Sequence, residues 1–201
     1  SDAEVWRCFH RTFSASNDLS LNSTAAVAAN GHFPTVPDSD NFYVGAGNQV
    51  NGSGKTYVAY LFAHDDQSFG DDSDESIIKC GSYVGDGTYT QFQNLGFEPQ
   101  WIMFRNASAT DDWWIYDAMR GLVVGSVDNR LAANLSSAEA VTGSSAMSIS
   151  ATGFTPDAYS TSGQTYIYVA IRRPMKTPEA GTDVYAADTL GGTTPNPPGY
   201  N

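Results

Sequence analysis

Two stretches of the chain are apolar at successive positions, with no polar face: Tyr57-Val58-Ala59-Tyr60-Leu61-Phe62-Ala63 and Tyr166-Ile167-Tyr168-Val169-Ala170-Ile171. A strand of that kind must be covered from both sides, so both runs are expected at the centre of a layered structure. Shorter apolar or alternating runs bounded by Gly, Asn, Asp or Pro predict the remaining strands, giving a set at 5–9, 42–45, 56–63, 76–83, 100–105, 113–117, 147–150 and 165–172. Gly85-Asp86-Gly87 and Asn94-Leu95-Gly96-Phe97-Glu98-Pro99 read as turns that bring the 76–83 run beside the 100–105 run. A polar turn at 106–112 then leads into Trp113, and the order strand, turn, strand, turn, strand predicts an antiparallel meander. Ser136-Ser137-Ala138-Glu139 has the capping-box pattern and, with the Ala-rich stretch after Ser23, predicts short helical turns only.

The same pattern occurs twice. Trp6-Arg7-Cys8-Phe9-His10, Asn22-Ser23-Thr24-Ala25-Ala26 and Ser53-Gly54-Lys55-Thr56-Tyr57-Val58 correspond in order to Trp113-Trp114-Ile115-Tyr116-Asp117, Ser136-Ser137-Ala138-Glu139-Ala140 and Ser162-Gly163-Gln164-Thr165-Tyr166-Ile167. From Trp to the Ser-Gly pair the spacing is 47 residues in one copy and 49 in the other. Aromatic and Gly-x-Thr-Tyr positions are kept while polar ones change, which is the mark of a unit kept for its shape. The expected organisation is an all-β antiparallel β-sandwich over 1–173, with related copies at 6–63 and 113–171 joined by strands at 76–105. A Pro- and Gly-rich extended linker or tail follows at 174–201. One asymmetry stands out: the second copy is preceded by the strands at 76–105, whereas five residues precede Trp6. The first copy is thus expected to expose a sheet edge, to be completed by strands from upstream chain or another subunit.

Composition agrees with this picture and removes several functions. Across 201 residues there are 19 Gly, 12% aromatic and only 16% charged residues, which suits a turn-rich β-protein. A net charge of −12 argues against a nucleic-acid partner, which needs a basic patch to displace counterions. No run of 18 apolar residues exists, so no membrane insertion is expected. The acid collects in Asp65-Asp66 and Asp71-Asp72-Ser73-Asp74-Glu75. A solvated turn accounts for it; the sharper alternative is a calcium site on Asp71, Asp72, Asp74 and Glu75, although the EF-hand spacing is missing. Cys8 and Cys80 have no CxxC spacing, and Cys8, alternating with Trp6, is expected in the core.

Gly52-Ser53-Gly54-Lys55-Thr56 resembles the end of a phosphate loop, but Gln49 stands where the leading Gly belongs and a strand-like run follows in place of a helix. Alternation puts Trp113 and Ile115 on one face and Trp114 and Tyr116 on the other. Trp113 is expected in the core; Trp114 and Tyr116 are either a second packed face or a platform on which a sugar ring stacks. His10, His32, His64, Asp117 and Glu139 are the candidate catalytic groups, yet no Ser, His and acid spacing identifies a hydrolase.

Taken in order, Tyr57–Asp65, Ile78–Gly87, Leu95–Trp101, Tyr116–Gly121 and Tyr166–Met175 resemble a domain of uncharacterised function found in virion structural and tail-fibre-like proteins of tailed bacteriophages, especially marine ones. The resemblance covers most of residues 6–190 and brings no catalytic residues with it. It implies a non-enzymatic bacteriophage structural protein, located in the virion, that contributes to particle architecture and host attachment. Its implied partners are other virion subunits, with homo-oligomerisation, and a host surface glycan; calcium is the one cofactor with a candidate site. A lectin-like carbohydrate-binding module and a polysaccharide depolymerase are the alternatives. On the two-centred picture, Tyr60→Asp or Val169→Asp should abolish soluble expression.

Overall fold

The structure, a computed structural model, describes residues 5–64, 68–69, 75–122 and 124–173. The described chain is nearly all β, and every strand pairing in it is antiparallel. In chain order the strands are β1 Arg7–Cys8, β2 Asn17–Ser20, β3 Ala28–Ala29, β4 Ile78–Val84, β5 Gln93–Asn94, β6 Pro99–Asn106, β7 Trp114–Asp117, β8 Asn129–Ala132, β9 Ala140–Val141, β10 Ser148–Ser150, β11 Gly153–Thr155 and β12 Thr165–Arg172. A four-residue helix, α1, covers Asn48–Asn51, and a 3₁₀ turn covers Ala118–Arg120.

One six-stranded sheet in the order β4-β12-β6-β7-β8-β9 forms the middle layer. On one face β12 presents Tyr166, Tyr168 and Ala170, which join Ile102 and Phe104 of β6 and Tyr116 of β7 in a core closed by Leu95, Phe97, Met147 and Phe154. These last residues belong to or adjoin the small sheet β10-β11-β5. The rings of Tyr83, Phe104 and Tyr166 lie nearly parallel, with Tyr166 at 5.1 Å from Tyr83 and 5.4 Å from Phe104. On the other face Ile167 meets Ala107, Trp113 and Leu19, with Cys8, Phe13, Leu21, Val27 and Met103 around them. The sheet β1-β2-β3 supplies that cover. A run apolar on both faces is buried on both faces because each such side chain withdrawn from water contributes about 1.5–3 kcal/mol.

One close approach inside the middle sheet falls at a glycine. Tyr168 pairs with Gly81 across β12 and β4, and its ring lies over the Gly81 backbone where a Cβ would stand. At the other end of β12, Arg172 closes an ion pair with Glu75 (2.7 Å) and Arg173 one with Glu98 (3.2 Å).

Several expectations are corrected. Residues 42–45 and 56–63 form no strand, because no neighbouring strand in the described chain offers them hydrogen bonds. The first doubly apolar run is therefore uncovered, while the second is the central strand β12. Trp6 is 53% exposed and lies outside the core that holds its counterpart Trp113. The 76–83 and 100–105 runs do share a sheet, but β12 inserts between them, so β4, β6 and β7 are no simple meander. In place of the helical turns after Ser23 and Ser136 the chain enters β3 and β9. The proposed tail at 174–201 lies outside the described residues.

Candidate functional site

Each histidine is spent on local structure. His10 is buried, and its Nδ1 accepts the Thr12 hydroxyl (2.8 Å). Burial holds its imidazole down to about 4, offset in part by the Tyr168 backbone, so it is a poor base for a pH-neutral reaction. His32 donates through Nδ1 to Asp18 (2.9 Å), and Asp18 also receives Arg7 (3.3 Å) and Asn30 (3.0 Å). The carboxylate of Asp18 is completely buried, so these three donors replace its lost water. His64 accepts the backbone N–H of Cys80 at Nδ1 (3.1 Å). Neither cysteine is bonded to the other, and burial pushes both thiols up to about 11, away from nucleophilic behaviour.

The carboxylates follow the same rule. Asp117 caps the 3₁₀ turn by accepting the Arg120 N–H (2.9 Å) and pairs with the Arg120 guanidinium (3.1 Å). Glu139 closes on that same guanidinium at 3.5 Å. The two acids proposed for a depolymerase thus converge, but on an arginine between them. Asp128 is buried and accepts the backbone N–H groups of Ala146 (2.7 Å) and Met147 (3.0 Å). Among the described residues no group of three metal-ligating side chains occurs. Of the calcium set, Asp71, Asp72 and Asp74 lie outside the described residues, and Glu75 is held by Arg172.

Trp114 and Tyr116 do share a face, as alternation requires, but that face is packed. Tyr116 is fully buried and its hydroxyl bonds that of Tyr159 (2.6 Å), leaving no surface for a sugar. Burial raises its phenol above the ordinary range. Trp114 is half-buried, its Nε1 donates to Asp111 (3.2 Å), and the Arg130 guanidinium sits 3.7 Å over its ring. One π-face is therefore occupied by a cation that also donates to Tyr159 (2.7 Å).

Sequence reasoning missed the polar centre of the molecule, Arg105. Its guanidinium is fully buried between the middle sheet and the β1-β2-β3 layer, where it donates to the carbonyls of Ser20 (3.3 Å), Ser23 (2.9 Å) and Ala25 and lies 5.1 Å from the Trp113 ring centroid. Its job is to satisfy the irregular backbone between β2 and β3.

What remains unused is apolar. Val58 (74%), Tyr60 (70%) and Leu61 (72%) are largely exposed, Tyr57 and Phe62 partly so, and Trp6 stacks against Tyr60 at 6.2 Å between centroids. Exposed apolar strips of this size mark contact surfaces. No curated protein and no solved structure matches the chain. The model of the domain of unknown function DUF7483 matches residues 1–174, and the chain belongs to that family.

Proposed function

We propose that the chain is a structural module of a bacteriophage particle, of tail-fibre or surface-appendage type, serving particle architecture and host attachment without catalysis. One observation carries the choice of an assembly role over chemistry. The candidate acids, bases and thiols in the described chain are held in structural contacts or buried, while an apolar strip at 57–62 stands exposed. The virion location rests on the resemblance of the ordered motif series Tyr57–Asp65, Ile78–Gly87, Leu95–Trp101, Tyr116–Gly121 and Tyr166–Met175. In this reading the partners are other virion subunits, including copies of the same chain, and the loops present contacts to a host surface.

Antibodies raised against the chain test the location. They should decorate purified particles and follow the particle band through a density gradient. Antigen confined to the soluble fraction of a lysate, with bare particles, would overturn the reading. A glycan array separates attachment from pure architecture, since binding abolished by Trp6→Ala would assign the exposed aromatic pair to a host sugar.

A further inference from the structure

We infer that residues 57–62 are the central strand of a second, incomplete sheet, which is completed by two strands of the β4 and β6 type donated by another unit of the same family. The inference deepens the assembly reading by naming the partner, and it rests on how the two copies compare in space. β1-β2-β3 and β7-β8-β9 run in the same order and direction. Cys8 faces Leu19 in the first as its counterpart Ile115 faces Leu131 in the second; Asn17 faces Ala29 as Asn129 faces Val141. The second set then continues through β6, β12 and β4. The first set stops at β1, whose other edge carries no strand among the described residues.

The counterpart of β12 is nevertheless in place. Thr56-Tyr57-Val58 matches Thr165-Tyr166-Ile167, and by alternation Val58 and Tyr60 share a face, as Ile167 and Val169 do. In the complete sheet Ile167 packs in one cluster with Trp113. In the incomplete one Trp6, the counterpart of Trp113, lies against Tyr60 at 6.2 Å with the rings 24° apart. The tryptophan and the apolar run therefore keep company in both copies, and among the described residues no pair of strands flanks residues 57–62. Among the described residues no hydrogen bond closes on the backbone of residues 58–61. An apolar segment with free N–H and C=O groups can accept a neighbouring strand.

The comparison also specifies the donor. A β6-type strand would lie between β1 and residues 57–62, apolar on both faces as β6 is with Ile102 and Phe104 inward on one and Met103 on the other. A β4-type strand would close the outer edge. Ala59 occupies the position of Tyr168, so this donor has no need of the glycine that Tyr168 demands at Gly81.

The test places a second copy of residues 75–112 ahead of Trp6 in the full chain and follows amide hydrogen exchange at 57–62. Exchange there should slow at least about 100-fold relative to the unextended chain, whereas β12 amides stay protected in both and report that each is folded. Unchanged exchange at 57–62 with β12 protected would overturn the inference. If the extended chain is insoluble, the residue 75–112 peptide titrated into the unextended chain replaces it, with the same two results expected and disqualifying. None of these outcomes moves the particle labelling, so the two readings fail separately.

Discussion

Arg105 shows how much one side chain can hold together. Its alternation with Phe104 in a strand-forming run says only that it faces away from the Phe104 side, and nothing local reveals that this side is covered by β1-β2-β3. Burial pushes the guanidinium below its ordinary value, and the three carbonyls around it supply the compensation. Arg105→Ala should destabilise the chain by about 3 kcal/mol or more, read as a lower urea midpoint, because it strands those carbonyls without water. His10 gives a pH-dependent counterpart. Its folded value near 4 lies below the ordinary 6.5, so between those values the unfolded chain binds the extra proton. Stability should therefore be full above about pH 6.5 and fall toward pH 4, by up to about 3 kcal/mol from this group. His10→Gln should flatten that stretch of the pH–stability curve; an unchanged slope would place the titration elsewhere. His10 was visible as a candidate and Arg105 was not, and the role of neither was legible, since burial and partners belong to the packed state.

The two doubly apolar runs separate what pattern does from what pairing does. Both satisfy the same sequence rule, and β12 obeys it because β4 and β6 bond its edges and two cores take its faces. Residues 57–62 have neither, so the expectation that Tyr60→Asp abolishes soluble expression is withdrawn for this chain. Tyr60→Asp should shift stability by less than about 0.5 kcal/mol, as an exposed substitution does, while Ala170→Asp should leave no folded protein. Circular dichroism melts of the two variants side by side decide it. Gly81→Ala probes the β4–β12 approach: a Cβ there meets the Tyr168 ring, and a loss of about 1–3 kcal/mol is expected. Short strands such as β2 and β8 escaped the sequence pattern because each carries a single large apolar residue, a Leu. Asp18 in β2 is buried only because Arg7, Asn30 and His32 reach it from other parts of the chain.

At the scale of the molecule, a net charge of −12 on 201 residues makes self-repulsion a standing cost. Raising ionic strength from about 10 to 200 mM should raise the melting temperature, because surface charges further apart than a Debye length are then screened. A melting point that falls with salt would show that the ion pairs at Arg172 and Arg120 outweigh the repulsion. The middle sheet needs cover on each face, and the chain meets that need by laying β1-β2-β3 over one side and β10-β11-β5 over the other. By itself the sequence determined the all-β class, the antiparallel pairing and the central place of residues 165–172, because strand period and apolar content are local properties. Only the tertiary structure decided that β12 enters between β4 and β6, that Tyr116 and Arg105 are buried while Trp6 and residues 57–62 are not, and that Asp117 and Glu139 meet on Arg120. Those outcomes depend on which edges and faces find partners far away in the chain, and no window of sequence contains the partner.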